Sequence, residues 1–326
     1  MMEKKINRGG ISRFLSKLLV FGVIFGMGMT GCQSPNASTG DNDKPKVVST
    51  STIIANLTEE IAKNEVDHQG ILEPGADPHV YEPVPTDSVA FEEADLILYN
   101  GYNLEPGLIK LMKASGIKAK KVAVAEVVTP LDYVYKGQKE PDPHVWGDGK
   151  NVIKMVEVIR DELIQLSPED ASIFKQNAAI LITELERLDG WIIEQIKTIP
   201  EAQRKLVTTH DAFQYYAKAY GLEVIGTLIG ISTEEQPSAQ TVKNLTEEIK
   251  KSKVPSIFAE TTINPALITT VAQEAGVKLA PNPLYADSIG TAGSEGDSYV
   301  KMLRANTKTI VEALGGQAQV IDTPSP

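Results

Sequence analysis

The chain has one cysteine, Cys32, and four histidines among 326 residues. A lone cysteine closes no disulfide within the chain and builds no thiolate-rich metal site, so a disulfide-stapled fold and a zinc-finger-type centre are both excluded. No His-Glu-x-x-His sequence occurs, which removes the helix-borne zinc protease site. Long apolar runs are missing too: the stretch from Leu18 to Met27 stops at Thr30-Gly31-Cys32, short of the about 20 residues that a membrane-spanning helix needs. Positive charge is scarce. Residues 1–31 hold five basic residues and one acidic residue, and the remainder holds 27 basic against 42 acidic side chains, a net of 15 negative. That balance argues against nucleic acid and against adsorption to anionic lipid, and it suits a cation ligand.

What is present at the start is a secretory pattern. Lys4, Lys5, Arg8, Arg13 and Lys17 lead into the apolar run, and small residues precede Cys32. This is similar to a lipoprotein signal-peptidase site, with Met29 where leucine is usual. We expect residues 1–31 to be a lipoprotein signal peptide and Cys32 the acylated N-terminus, leaving the mature chain without a thiol. Residues 32–45, polar and poor in apolar side chains, read as a flexible tether. The protein is then expected outside the cytoplasm, anchored by lipid to a membrane and facing the periplasm or the cell exterior.

From Lys46 onward strand-type and helix-type runs alternate: Val47 to Thr50, Ile53 to Ala62, Val66 to Leu72, Asp87 to Ala94, Asp95 to Tyr99, Leu104 to Ser115, Lys121 to Val124. This alternation predicts an α/β fold, a parallel sheet with helical crossovers. About 270 residues exceed one ordinary core, so two lobes are expected. A helix from Asn151 to Leu166 ends the first. Ser167-Pro168-Glu169-Asp170 has the chemistry of a helix start, with serine as N-cap, proline at the first position and acids in the first turn. No proline recurs until Pro200, and one glycine, Gly190, lies between. We read one long connecting helix, with a break at Gly190 as the alternative. The expected layout is an N-terminal lobe at 46–166, a connecting helix at 167–199, a C-terminal lobe at 200–316 and a tail at 317–326. In the second lobe, strands are expected at 205–209, 224–227, 256–259 and 278–279, with helices from His210 to Gly221 and near 241–252, 265–275 and 298–314.

The histidines are not scattered. Asp77-Pro78-His79-Val80 returns unchanged as Asp142-Pro143-His144-Val145. A proline before each histidine holds the preceding aspartate extended and favours a loop. Imidazole is the commonest metal ligand but also a frequent turn residue. His210 follows the run Lys205 to Thr209, and Asp287 lies in Tyr285-Ala286-Asp287-Ser288. Taken singly, His210 is as well read as a helix cap and Asp287 as a turn residue. As a set, His79, His144, His210 and Asp287 place three imidazoles and one carboxylate just past strands or in loops, where open α/β sheets bind ligands. The fourth histidine, His68, is expected to be a surface or strand-end residue. Glu260 closes an expected strand and is either an acceptor for a ligand imidazole or an unrelated strand-end carboxylate.

These segments, with Asn100-Gly101-Tyr102-Asn103-Leu104-Glu105, resemble the ligand segments of the cluster A-I (cluster 9) metal-binding lipoproteins, from about Lys46 to Gly316. That family comprises the solute-binding components of ATP-driven importers for manganese, zinc or iron. The resemblance implies His79, His144, His210 and Asp287 as ligands of one Zn2+ or Mn2+ per chain. It also implies two α/β lobes joined by one helix, and an ABC permease and its ATPase as partners. We expect a monomer. Manganese-type members commonly place glutamate at the position of His210, and many zinc members have a histidine-rich loop where Val127 to Lys139 has no histidine. Three neutral imidazoles and a carboxylate suit four-coordinate zinc, whereas manganese favours more oxygen donors. Zinc is therefore favoured narrowly. The competing classes are a zinc hydrolase, disfavoured because four protein ligands would fill the position that catalytic zinc keeps for water, and a surface adhesin of the same fold.

Overall fold

The computed structural model describes residues 44–114, 116–135 and 137–319. The signal peptide, Cys32 and all but the last two residues of the expected tether lie outside the described residues, as do residues 320–326 of the tail. Pro45 is already part of the fold, its carbonyl accepting from Asp67 N at 3.0 Å.

The first lobe is built on a four-stranded parallel sheet. Its strands β1 (Lys46–Ser49), β2 (Asp67–Gly70), β3 (Leu96–Tyr99) and β4 (Lys120–Ala123) lie in the order β2-β1-β3-β4. Between them run α1 (Thr52–Ala62), α2 (Pro85–Glu93) and α3 (Pro106–Ala114). Helix α1 starts where Ser51 Oγ accepts from Ile54 N, and its buried Ile53, Ile54, Leu57 and Ile61 face the interior. On the other side of the sheet Phe91, Leu108 and Met112 pack with Val48 and Ile97 as a separate apolar cluster. After β4 comes an element that the sequence reading left as a loop: an antiparallel hairpin of β5 (Asp132–Tyr135) and β6 (Gln138–Pro141). Among its described side chains Asp132, Val134, Gln138 and Lys139 are exposed and Tyr133, Glu140 and Pro141 half-buried, so no apolar run marked the strands. Helix α4 (Gly149–Leu166) follows, with Asp148 Oδ1 accepting from Lys150 N at 2.9 Å.

The connecting helix α5 (Ala171–Lys197) is continuous over 27 residues, about 40 Å at 1.5 Å per residue. It passes through Gly190 without a break; that position is exposed and a Cβ there would meet nothing within 4 Å. Its start differs from expectation. Pro168–Asp170 form a 3-10 turn, and Ser167 Oγ donates to Asp170 Oδ2 at 2.6 Å instead of capping a backbone N–H. An acid three residues on competes for the same hydroxyl. Along α5, Phe174, Ala178, Leu181, Leu185, Leu188, Ile192 and Ile196 recur every three or four residues and are buried, the stripe that packs against α1, α4 and α9 (Tyr299–Ala313).

The second lobe also has parallel strands, in two pairs: β7 (Lys205–Thr208) with β8 (Glu223–Thr227), and β9 (Ser256–Ile257) with β10 (Lys278–Leu279). Phe258 N donates to Val207 O at 2.9 Å and links the pairs. Strand β9 stops at Ile257, two residues before the expected end, and Glu260 instead makes an isolated bridge to Leu284. Helices α6 (Gln214–Tyr220), α7 (Ala239–Ser252) and α8 (Ala266–Ala275) complete the lobe. Helix α6 begins at Gln214, not at His210, so the segment His210 to Phe213 is a loop. An outer cluster of Val207, Leu245, Ile249, Ile257, Ile268 and Val271 fills the space under α7 and α8.

A larger cluster runs without interruption from α1 and α4 through α5 to Tyr216, Leu284 and α9. The two lobes thus share apolar packing beneath the loops that bear the candidate ligands. The chain end is fastened to α5: Trp191 Nε1 donates to Gln319 O at 3.1 Å and Gln319 N to Gln195 Oε1 at 2.6 Å. No helix among the described residues is long and apolar enough to cross a membrane.

Candidate metal centre

The four sequence-selected residues converge. One potential ligand atom from each of His79, His144, His210 and Asp287 lies within 4.8 Å of the others, although they come from four separate loops. His79 Nε2 is 3.2 Å from His144 Nε2. Asp287 Oδ2 is 3.1 Å from His210 Nε2 and 3.8 Å from His79 Nε2, and Asp287 Oδ1 is 3.4 Å from His144 Nε2. All four are buried, none more than 5% exposed.

Each loop is aimed by its own fastenings. The first leaves β2, where Ile71 N and Leu72 N continue the ladder onto Ser49 O and Thr50 O. It is caught at its far end by Asp87 Oδ2, which accepts from Val84 N at 2.9 Å and from Tyr81 Oη at 3.0 Å. The second loop arrives from the β5–β6 hairpin, not directly from a parallel strand. Asn100 Nδ2 holds it by donating to Pro143 O at 3.1 Å, and Tyr215 Oη by donating to Asp142 O at 2.9 Å. Asn100 is itself set by Glu105, whose Oε1 accepts from Asn100 N at 2.7 Å and from Thr50 Oγ1 at 2.8 Å. His210 lies two residues past β7. Asp287 follows the Leu284 bridge, in a loop that Trp146 Nε1 grips through Ala286 O at 3.0 Å.

Two imidazoles have a carboxylate behind them. Asp142 Oδ1 accepts from His144 Nδ1 at 2.7 Å and from His144 N at 3.0 Å. Glu260 takes both groups of His210: Oε1 accepts from the backbone nitrogen at 2.9 Å, and Oε2 is hydrogen-bonded to Nδ1. With each Nδ1 engaged as donor, Nε2 of both rings is free to turn a lone pair toward the cluster. His68 stands apart, its Nε2 at 2.9 Å from Ser49 Oγ. Its side chain, on β2, is only 7% exposed, so the residue expected at the surface or a strand end is largely covered, and burial pushes its pKa down to about 4.

Burial and charge oppose each other at every group of the cluster. Burial drives the His79 ring toward neutrality, with a pKa near 3. Burial opposes a charge on His144 as well, but the hydrogen bond and charge of Asp142 and the charge of Asp287 outweigh it and hold the ring at about 9. Against the same burial, Asp287 and then Glu260 raise His210 well above the usual imidazole range. Asp287 is held well below the ordinary carboxylate range, its burial overcome chiefly by His210 and His144. Short as the His210–Asp287 approach is, it is poorly aligned for hydrogen bonding: both Asp287 oxygens and His210 Nε2 have no hydrogen-bond partner. Buried acceptors left this way are costly unless a cation satisfies them. The donor set, three nitrogens and a carboxylate, fits a divalent transition metal.

Sequence reasoning did not single out Asp142, Tyr215 or Trp146 as parts of this site. Asp142 was legible in principle, since an aspartate two residues before a loop histidine can reach both the backbone and the ring. The others reach the site from across the lobe boundary and leave no local signal.

Residues 47–313 match the profile of the family described as ZnuA, zinc-uptake complex component A, periplasmic. The manganese-binding lipoprotein MntA of Halalkalibacterium halodurans is 34% identical over 286 residues, covering 87% of this chain and 93% of that one. The metal ABC transporter substrate-binding lipoprotein SsaB of Streptococcus sanguinis is 34% identical over 291 residues, with coverage of 87% and 93%. Among solved structures, the periplasmic zinc-binding protein TroA of Treponema pallidum superposes with a TM-score of 0.79 at 34% identity, covering 83% of this chain and 99% of TroA. A manganese-bound periplasmic metal-binding protein from Candidatus Liberibacter asiaticus gives 0.75 at 26% identity, with coverage of 83% and 100%. Matched over residues 47–313, from the first strand to the last helix, the chain belongs to the ZnuA family.

Proposed function

We propose that this protein captures one divalent transition metal ion outside the cytoplasm, between His79, His144, His210 and Asp287, and delivers it to the permease and ATPase of an ABC importer. The observation that carries this is the buried convergence of three imidazoles on a carboxylate with no hydrogen-bond partner. The relatives support the transport role: they are binding lipoproteins of metal ABC transporters, not enzymes. Their lipoprotein character supports Cys32 as the acylated residue and attachment to a membrane.

Zinc is favoured narrowly over manganese. Three of the four donors are imidazole nitrogens, and zinc accepts such a set in a tetrahedral shell, whereas manganese prefers more oxygen. Glu260 and Asp142 strengthen two of those nitrogens as donors by accepting their Nδ1 protons. Both metals are represented among the relatives and structural neighbours, so the test is direct competition. Calorimetric titration of metal-stripped protein with Zn2+ and Mn2+, and identification of the metal retained through native purification, should show one site per chain and tighter zinc. Tighter manganese would reverse the assignment; no binding of either, or no loss of binding in His144→Ala, would remove the proposed site.

A further inference from the structure

The two Asp-Pro-His-Val loops are identical in sequence but not in use. In the second, one oxygen of Asp142 serves its own loop twice, bonding the backbone and the ring of His144, and Oδ2 is buried without a partner. In the first, Asp77 Oδ1 accepts from His79 N at 2.9 Å, while Asp77 Oδ2 accepts from Thr233 Oγ1 at 2.6 Å. Thr233 is 156 residues away and belongs to the other lobe.

Thr233 sits in the segment after β8, which is itself tied to the His210 loop. Ile229 N donates to Thr209 O at 2.8 Å and Asp211 N to Gly230 O at 3.2 Å. A continuous path therefore runs from the backbone on either side of His210, through residues 228–233, to Asp77 and the backbone of His79. The other crossings near the site are buried or, at Gly75, partly buried. Tyr215 and Asp142 meet beneath the second loop, and Thr52, Gly75 and Ser288 meet beside Asp287, where Ser288 Oγ accepts from Gly75 N at 2.8 Å and Thr52 Oγ1 from Ile289 N at 3.1 Å. Asp77 and Thr233 are both half-exposed. They adjoin a cleft of about 860 Å3 whose lining includes Ser232 and Glu234, on either side of Thr233, and His79, the one residue of the four on it.

We infer that Thr233 acts through Asp77 as a positioning residue, a strap between the lobes beside the cleft that holds His79 against the bound ion and sets how fast the ion leaves. The inference rests on the metal-capture reading above. With the strap made, the His79 loop cannot swing toward the cleft without breaking a hydrogen bond to a carboxylate, among the stronger kinds in proteins. With it broken, His144, His210 and Asp287 keep their buried fastenings, and the His79 loop is left with its ties at Gly75 and Asp87.

The test is the rate at which Zn2+-loaded mature protein gives up its metal to excess EDTA, followed by stopped flow. Thr233→Val and Thr233→Ala should both speed release about five- to twentyfold, with the association rate within twofold of wild type and the thermal midpoint of the metal-free protein unmoved. Thr233→Ser, which restores the hydroxyl, should return release to within twofold of wild type. Release at the wild-type rate in both Val and Ala variants would overturn the inference. So would a Ser variant as fast as the Ala variant, which would place the effect in the methyl group or the loop backbone. Wild-type protein that takes up no Zn2+ would instead refute the metal-capture reading on which the inference stands.

Discussion

Asp142 Oδ1 lies 2.7 Å from His144 Nδ1, with both side chains almost wholly buried. The pair fixes which ring nitrogen faces the ion, because an imidazole that donates from Nδ1 offers its lone pair at Nε2. Replacing the carboxylate by an amide keeps an acceptor but removes its charge, so the ring becomes a weaker donor. Asp142→Asn should lower metal affinity about 10- to 100-fold, the usual cost of losing such a partner. Chelator competition would measure it, and an unchanged affinity would show that the loop backbone alone orients the ring.

Metal binding should expel protons. His144, held at about 9, carries a second ring proton at pH 7.4 before the ion arrives, and His210 is shifted in the same direction by Asp287 and Glu260. Ligation requires the neutral ring, so the ion competes with these protons and affinity falls as pH falls. The decline should be in progress already between pH 8 and 6, higher than the pH 6 to 5 range that unperturbed imidazoles would give. Calorimetry at pH 7.4 in two buffers of different ionisation enthalpy should show at least one proton released per ion. Zero release would contradict the charges assigned to the site.

Selectivity at His210 cannot be altered without its neighbour. The family resemblance implies glutamate at this position in manganese-type members, yet His210→Glu would set a second carboxylate against Glu260, which now accepts from both His210 nitrogen donors. Like charges at that distance in a buried site repel. His210→Glu alone should weaken binding of both metals, whereas His210→Glu with Glu260→Gln should move the zinc-to-manganese affinity ratio toward manganese by at least tenfold. An unmoved ratio in the double variant would remove this position from metal choice.

Glu105 links the site to stability. It is fully buried, and burial raises its pKa to about 7 against the hydrogen bonds from Asn100 and Thr50. The folded state thus binds this proton more tightly than the unfolded chain does. That contribution is complete below about pH 4.5 and is lost as pH rises through 7. Glu105→Gln should therefore stabilise the protein relative to wild type at pH 8 by about 1 to 3 kcal/mol and change little at pH 5. Urea denaturation at the two pH values checks it, and an equal effect at both would refute the raised pKa.

Gly190 offers a simpler test of the connecting helix. It is exposed, helical and free of neighbours where a Cβ would sit. Gly190→Ala should raise stability by about 0.5 to 1 kcal/mol in thermal or urea unfolding, since alanine loses less backbone freedom there. A loss of stability would mean that the helix is bent at that point in solution.

Strand and helix alternation, the long α5 and the four candidate ligands were legible because each depends on neighbours in the chain. Apolar spacing marks buried faces, and a repeated tetrapeptide marks two loops of one kind. The hairpin β5–β6 was not legible, because half-exposed strands lack an apolar run. The start of α5 was misread because Ser167 had two candidate partners, and the side chain of Asp170 took its hydroxyl.

The amino-acid order by itself picked out four residues with the chemistry to hold a cation, reading His79, His144 and Asp287 in loops and His210 at a helix start. Tertiary structure decided how identical loops came to differ. Asp142 turned inward to its own histidine, and Asp77 turned outward to Thr233. Glu260 came to rest behind His210 across 50 positions of sequence. The physical reason is that periodicity is a local property, whereas a buried polar atom takes whichever partner packing brings within about 3 Å, and that partner can lie anywhere in the chain.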